Sequence, residues 1–172
     1  MTNISGFLAI ADQHAKILIL GSMPGQVSLD NQAYYAHPRN AFWPIMFTLF
    51  NKNIAIDDYP LRKQLLIDHN IAVWDVLQSC HRSGSLDSAI KMQSITANNF
   101  TAFFSSHPGI QHVFFNGAKA ENIYSKFVQT HVDEQFSHLK YTRLPSTSPA
   151  YASINLQQKT KIWKNEFSYI IN

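Results

Sequence analysis

The chain has 172 residues, a length that favours one domain with a single substantial core over two domains joined by a linker. Its 45% hydrophobic residues and its formal net charge of +3 exclude an intrinsically disordered protein. The only cysteine, Cys80, excludes an intramolecular disulfide, a four-thiolate zinc site and an iron–sulfur cluster held by cysteines of this chain alone.

Four short runs of mainly apolar and β-branched residues are typical of buried strands. They cover residues 15–20, 71–77, 111–115 and 139–144. The first and the third run are almost continuously apolar. This pattern indicates a parallel sheet that is covered on both faces.

Between these runs, apolar residues repeat at three- and four-residue spacing. The spacing predicts helices over residues 42–50, 59–69, 98–106, 118–130 and 155–171. Strands and helices thus alternate along the chain. The alternation predicts one α/β domain over residues 1–172, in three α/β/α layers around a central four-stranded parallel sheet. Ligands of such sheets bind where the carboxyl ends of the strands open into loops.

Three loop segments carry the residues that could bind a ligand or take part in a reaction. The first turn, GSMPG at 21–25, lacks the pattern of a P-loop or of a dinucleotide-binding turn, but its glycines let backbone groups approach a ligand. The second loop, YYAHPRNAFWP at 34–44, combines aromatic rings, an amide and cations. The last loop, LPSTSPAY at 144–151, offers three hydroxyls that can bind a phosphate or cap the last helix.

Together these loops resemble the uracil-DNA glycosylase superfamily, in its hypoxanthine (deoxyinosine) DNA glycosylase branch. The resemblance runs in the family's order from residue 17 to about 150. It rests on GSMP at 21–24, YYAHPRNAFWP at 34–44, WDVLQSC at 74–80, GSLD at 84–87, FNGA at 115–118 and LPSTSPA at 144–150. The single cysteine separates the chain from the iron–sulfur branches of the superfamily.

The resemblance implies an enzyme that flips a damaged base out of DNA and hydrolyses the bond between base and sugar. It implies Asn40 as the catalytic amide, which positions water or contacts the base edge. Phe42 would stack on the flipped base, with Trp43 as its support. From the residues alone, Asn40 also fits a helix N-cap, and the two aromatic residues also fit a core.

Polar residues at the strand ends complete the expected base pocket. Gly21, Ser22 and Met23 would bring backbone groups to the base and the water, and Ser22 is also a catalytic candidate. Asp75 is either an acceptor that reads the base or a cap for loop N–H groups. Asn116 is either a second catalytic amide or a helix N-cap.

Contacts to the DNA backbone are expected from the loop that follows the last strand. Ser146, Thr147 and Ser148 would hold phosphates beside the flipped nucleotide, and His37 and Arg39 would add positive charge. Tyr151 is the only large side chain at the end of the last loop. It is either a wedge that fills the gap in the base stack or a ring that packs on the last helix.

One departure from the superfamily concerns the first turn. Other branches carry an Asp or an Asn inside this turn that activates water, whereas here the turn has neither. The catalytic role therefore shifts to Asn40 or to backbone groups. Three alternatives stay open: a uracil or mismatch glycosylase, a nucleic-acid-binding module without catalysis, and a Ser22-dependent hydrolase, for which a suitable Asp and His pair is missing.

Residues 1–10 lack the pattern of a signal peptide, and no run reaches the roughly 18–20 apolar residues of a membrane span. We therefore expect a cytoplasmic protein without membrane contacts. The net charge of +3 permits a polyanionic partner. The resemblance implies that this partner is DNA containing a deaminated base, with no metal or other cofactor, and we expect a monomer.

Overall fold

The computed structural model describes residues 2–52, 55–84 and 89–171, without the side chains of residue 2 and residues 169–171. Residues 85–87 of the GSLD motif lie outside the described part. The described strands are β1 (Thr2–Ser5), β2 (Ile17–Gly21), β3 (Ile71–Asp75), β4 (Leu77–Arg82), β5 (Thr96–Ala97), β6 (His112–Asn116) and β7 (Lys140–Leu144). The described helices are α1 (Gln26–Asn31), α2 (Phe42–Leu49), α3 (Tyr59–Asp68), α4 (Phe100–Ser106), α5 (Ala118–Phe127), α6 (Gln129–Asp133) and α7 (Leu156–Ile171), with a short 3-10 helix at Met92–Ser94.

The central sheet has four parallel strands in the order β3-β2-β6-β7. The predicted sheet is thereby confirmed, and each of its strands lies within or beside a predicted run. The predicted strand 71–77 is divided, because β3 ends at Asp75 and the chain leaves the sheet. There the Val76 N–H donates to the Gly21 carbonyl and the Leu77 N–H donates to the Ser22 carbonyl. The chain thus turns against the segment that follows β2.

A second sheet, which the sequence analysis did not predict, is formed by the antiparallel strands β1, β4 and β5 in the order β1-β4-β5. Its middle strand buries Leu77, Cys80 and Arg82 and leaves polar residues between them at the surface or partly exposed. The predicted helix 118–130 is also divided, into α5 and α6 at Val128. Helix α1 is a further addition to the predicted elements.

Successive side chains of the parallel strand β2 belong alternately to two apolar clusters. Leu18 and Leu20 of β2 belong to the cluster that contains residues of α4, α5 and α6. Ile17 and Ile19 belong to the cluster that contains residues of α2, α3 and α7. The clusters occupy the two faces of the sheet, so the structure confirms the α/β/α layers. Among the described residues, no helix is long and apolar enough to cross a membrane.

Candidate active site

The polar ends of the parallel strands meet at one edge of the central sheet. Gly21 of β2 is in register with Asp75 of β3, and Asn116 of β6 is in register with Leu144 of β7. Leu20 lies opposite Phe115, so the ends of β2 and β6 are also neighbours. Because the strands are parallel, the first turn, Asp75, Asn116 and the last loop open on the same side.

A cavity of about 570 Å³ lies at this edge, a size in the range of small-molecule sites. Its lining includes eleven of the predicted site residues: Gly21, Ser22, Met23, His37, Asn40, Asp75, Asn116, Ser146, Thr147, Ser148 and Tyr151. Arg39, Phe42 and Trp43 are not in the lining. The lining residues that were not predicted are Pro24, Gly25, Gln26, Val27, Ser28, Tyr34, Tyr35, Pro149 and Ala150.

The aromatic residues that line the cavity are Tyr34, Tyr35 and Tyr151, and Phe42 is not among them. Phe42 is fully buried, and the Tyr35 ring stacks on it with 4.0 Å between ring centroids and 21° between ring planes. In this structure Phe42 therefore does not offer the open stacking face that the resemblance implied. Tyr35 has a positive φ of 55°, which turns its ring onto Phe42. The motif pointed to this loop, but sequence periodicity does not indicate such a backbone conformation.

Trp43 has a supporting role in the structure. Its side chain is buried, and its Nε1–H donates to the Tyr34 carbonyl oxygen over 2.9 Å. The Tyr34 N–H in turn donates to the Tyr59 hydroxyl over 2.9 Å. These bonds fix the second loop against α3 immediately before Tyr35.

Asp75 lies at the floor of the cavity, with 3% of the residue exposed. Gly21 faces it across the sheet, and a Cβ atom on Gly21 would collide with Asp75 Oδ1 and lie 3.3 Å from the Tyr35 hydroxyl oxygen. The glycine thus lets a carboxyl group and a phenol approach the first turn. Burial raises the pKa of the Tyr34 phenol well above its usual range, and the charge of Asp75 raises it further.

Asn40 precedes Ala41, the N-cap residue of α2, so it is not itself the predicted N-cap, and its catalytic role stays a prediction. Its Oδ1 accepts a hydrogen bond of 3.0 Å from the Phe42 N–H at the start of α2, and the residue lines the cavity. The oxygen keeps a second lone pair and the Nδ2 amino group keeps its two donors, so either end of the amide can serve a ligand. Beside it, the Ala41 N–H donates to the Thr147 carbonyl over 2.9 Å and joins the second loop to the last loop.

Asn116 is bound to the last loop on both sides of its amide. Its Nδ2 donates to Thr147 Oγ1 over 2.8 Å, and its Oδ1 accepts from the Thr147 N–H over 2.8 Å. It is not the N-cap of α5, because Gly117 has that position, with a φ of 98°. A Cβ on Gly117 would lie 2.8 Å from the Cβ of Ser146, so the glycine allows the last loop to approach closely.

The cationic residues of the second loop lie at different depths. His37 lines the cavity, and its Nδ1 accepts a hydrogen bond of 3.1 Å from the Arg39 N–H. Arg39 is exposed at the surface, outside the cavity lining. Over the part of the chain that the structure describes, no group of three or more His, Cys, Asp or Glu side chains is arranged to hold a metal ion.

The family model of the uracil DNA glycosylase superfamily matches residues 9–168. The chain belongs to this superfamily. Over 115 residues it is 36% identical to proteins named hypoxanthine DNA glycosylase from Methanosarcina barkeri and from Methanosarcina acetivorans. The matched region is 67% of this chain and 72% of each relative. A solution NMR structure from Methanosarcina acetivorans, of a protein described as a uracil DNA glycosylase, has a TM-score of 0.76 at 29% identity and covers 95% of this chain and 98% of that chain.

As a member of this superfamily, the chain is a DNA glycosylase. Its cavity lies in the matched region, and the predicted family and fold are confirmed. The residue roles stay predictions. For this DNA glycosylase, the first turn contributes Gly21, Ser22 and Met23 to the lining, and the lining residues with side-chain amides are Gln26, Asn40 and Asn116.

Proposed function

We propose that this glycosylase removes hypoxanthine from DNA by hydrolysing the bond between the base and deoxyribose. The names of the relatives that are 36% identical support this substrate. The observation that carries the proposal is the placement of Asp75, a nearly fully buried acidic residue in the lining of a cavity at the sheet edge. The reaction of a DNA glycosylase requires a pocket of this kind for an extrahelical base.

Asp75 suits a deaminated purine because of the proton on the purine ring. Hypoxanthine carries an N–H at ring position 1, whereas adenine has a lone pair there. A carboxylate oxygen accepts a hydrogen bond from the N–H of hypoxanthine and repels the lone pair of adenine. Asp75 would therefore favour the damaged base over its parent. Uracil also carries a ring N–H, so the size of the base must make the distinction between hypoxanthine and uracil.

In this proposal water attacks the deoxyribose, and the surrounding groups assist by stabilising the departing base and positioning the water. Negative charge develops on the base as it leaves, and hydrogen-bond donors near the base stabilise this charge. In this proposal the Nδ2 group of Asn40 and the backbone of the first turn, whose residues line the cavity, supply such donors or hold the water. Tyr35 presents its ring to the flipped base, above the buried Phe42. No metal or other cofactor takes part in this proposed reaction.

The DNA on either side of the flipped nucleotide would lie along the last loop. Ser146 and Ser148 bring hydroxyl groups to the cavity, and Thr147 is held from behind by Asn116. Hydroxyl and backbone N–H groups are common partners of DNA phosphates. Tyr151 is 41% exposed at the end of this loop and lines the cavity, so its ring is available to the duplex.

The proposal is tested by base release from oligonucleotides that each contain one deoxyinosine, deoxyuridine or deoxyxanthosine, with deoxyadenosine as the matched undamaged control. Strands are incubated with excess enzyme in the presence of a chelator and are then cleaved with alkali at abasic sites. We expect the fastest release from deoxyinosine strands and none from deoxyadenosine strands. Faster release of uracil would identify a uracil glycosylase, and binding without release would identify a module that has lost catalysis.

A further inference from the structure

Lys159 of α7 is a buried cation that lies directly beneath the last loop. Only 5% of the residue is exposed. Its Nζ donates to the Tyr151 carbonyl over 2.7 Å and to the Ser148 carbonyl over 3.3 Å. The same ammonium group lies 5.2 Å from the centroid of the Tyr151 ring, within the range of a cation–π contact. One side chain thus contacts the backbone at both ends of the segment 148–151.

The charge of Lys159 is compensated by carbonyl dipoles rather than by an acid. Among the described residues, no Asp or Glu oxygen forms an ion pair with its Nζ. Burial lowers the pKa of this ammonium group, which reflects the cost of removing it from water. Lys161 and Lys164 of the same helix are exposed instead. A lysine that served only solubility would also point into solvent.

We propose that Lys159 is a positioning residue of the glycosylase, which holds segment 148–151 in the shape that presents Tyr151 to duplex DNA. This proposal rests on the proposed function, because it assigns a task within base excision. Two carbonyl groups and one aromatic ring of the segment contact the same ammonium group. The loop therefore loses little conformational entropy when DNA binds. An ordered loop avoids the entropy cost of fixing it during binding.

The effect of Lys159 should depend on whether the substrate is paired. In duplex DNA the flipped base leaves a gap in the stack, and a positioned side chain must keep the gap open. In a single strand no such gap exists. A defect in the loop should therefore slow excision from duplex DNA and leave excision from single strands nearly unchanged.

The test compares Lys159→Met with Lys161→Met, which removes the same charge from an exposed position of α7. Single-turnover rates and dissociation constants are measured on duplex and single-stranded deoxyinosine oligonucleotides. Thermal unfolding and hydrogen exchange of residues 150–153 are followed in parallel. For Lys159→Met we expect a roughly tenfold loss of rate on the duplex, the scale of one charge-assisted hydrogen bond. We also expect faster exchange of the loop amides, an unchanged or higher melting temperature, and a single-strand rate within about twofold of wild type.

Lys159→Arg is the second test variant, because it keeps the positive charge and the N–H donors. We expect it to restore most of the duplex rate, whereas Lys161→Met should behave like the wild type. Equal losses of Lys159→Met on both substrates, or a loss that follows a drop in melting temperature, would assign Lys159 to general stability and overturn the proposal. Wild-type protein that releases no hypoxanthine would overturn the proposed function instead. In that event the exchange of the loop amides in Lys159→Met would still decide whether Lys159 orders the loop.

Discussion

Asn116 and Thr147 exchange two hydrogen bonds of 2.8 Å, one in each direction, between the end of β6 and the last loop. Thr147 is 1% exposed, and its carbonyl accepts a hydrogen bond from the Ala41 N–H. The three residues connect the last loop with both the sheet and the second loop. The shape of the site therefore depends on the Asn116 side chain, which fixes the last loop at the end of β6.

Removal of the Asn116 amide should disturb the site by releasing Thr147 of the last loop. We expect Asn116→Ala to lower the free energy of unfolding by about 1–3 kcal/mol, because two buried partners on Thr147 lose their bonds. Excision should fall as the last loop shifts. Urea unfolding and single-turnover assays measure the two effects. Thr147→Ser, which keeps the hydroxyl, should retain the excision rate. A stable Asn116→Ala protein with wild-type excision would show that the loop is held by other contacts.

The two roles of Asn40 can be separated by substitution. Asn40→Ala removes the acceptor for the Phe42 N–H as well as the amino group, whereas Asn40→Ser keeps a short acceptor for this N–H. We expect both variants to lose about 10²-fold in single-turnover rate, since neither supplies the positioned amino group. Only Asn40→Ala should also lose stability. Normal excision by Asn40→Ser would limit Asn40 to the turn that precedes α2.

Tyr35 and Phe42 compete for the role of the stacking ring. If the base stacks on Tyr35, Tyr35→Ala should weaken binding of deoxyinosine strands by about 1–3 kcal/mol, while Tyr35→Phe keeps the ring and most of the affinity. If Phe42 is the stacking ring, Tyr35→Ala should uncover it and leave binding intact or improved. Dissociation constants on single strands, measured in the Asn40→Ala background to prevent turnover, distinguish the two. We expect the first result, since the Tyr35 ring already covers Phe42.

Tyr151 should matter mainly for paired DNA. The ring is 41% exposed and is held beside Lys159, so it both packs on α7 and reaches the cavity. Tyr151→Ala should lower the ratio of duplex to single-strand excision rates roughly tenfold, as expected from the loss of one stacking contact of about 1–3 kcal/mol. Tyr151→Phe keeps the ring and should keep the ratio. An unchanged ratio in Tyr151→Ala would return the ring to a packing role.

Alkaline pH should destabilise the fold through its buried phenols. Burial is the main cause that raises the pKa values of Tyr34, Tyr59, Tyr124 and Tyr141 in the folded protein. In the unfolded chain these groups lose their protons near pH 10, about the ordinary value for tyrosine. Above this pH the folded state binds more protons, so the free energy of unfolding falls as the pH rises.

Urea unfolding between about pH 8 and pH 11 measures this dependence, and the decline should begin near pH 10. Tyr124→Phe removes one of the buried phenols and should make the decline shallower. A free energy of unfolding that stays constant across this range would contradict the assignment. So would a decline of the same slope in Tyr124→Phe.

The sequence predicted the parallel sheet because its strands carry nearly unbroken apolar runs, such as Ile17–Gly21, which is buried at every position. It also located most of the cavity lining, since parallel strands bring their carboxyl ends together. The strand Leu77–Arg82 was missed because its buried residues, Leu77, Cys80 and Arg82, do not form a two-residue apolar alternation, and because it pairs with the distant β1. Its antiparallel partner is remote in the sequence, and local patterns do not show such pairing.

The details of the site depended on tertiary contacts that the sequence does not encode locally. The stacking of Tyr35 on Phe42 follows from one left-handed backbone conformation, which is uncommon for an aromatic residue. The sequence does not distinguish Lys159 from the other lysines of its amphipathic helix, because its contacts with the last loop are tertiary. The two hydrogen bonds between Asn116 and Thr147 join residues that are far apart in the sequence.

Cys80 lies in the middle strand of the antiparallel sheet with none of its surface exposed. It is also the only cysteine of the chain, so the native fold offers no accessible thiol to a maleimide reagent. The substitution Ala152→Cys, at an exposed position, would therefore allow selective labelling while Cys80 stays in place. A fluorophore attached there would report, on the millisecond scale of stopped-flow mixing, when the neighbouring loop meets a duplex and when it leaves.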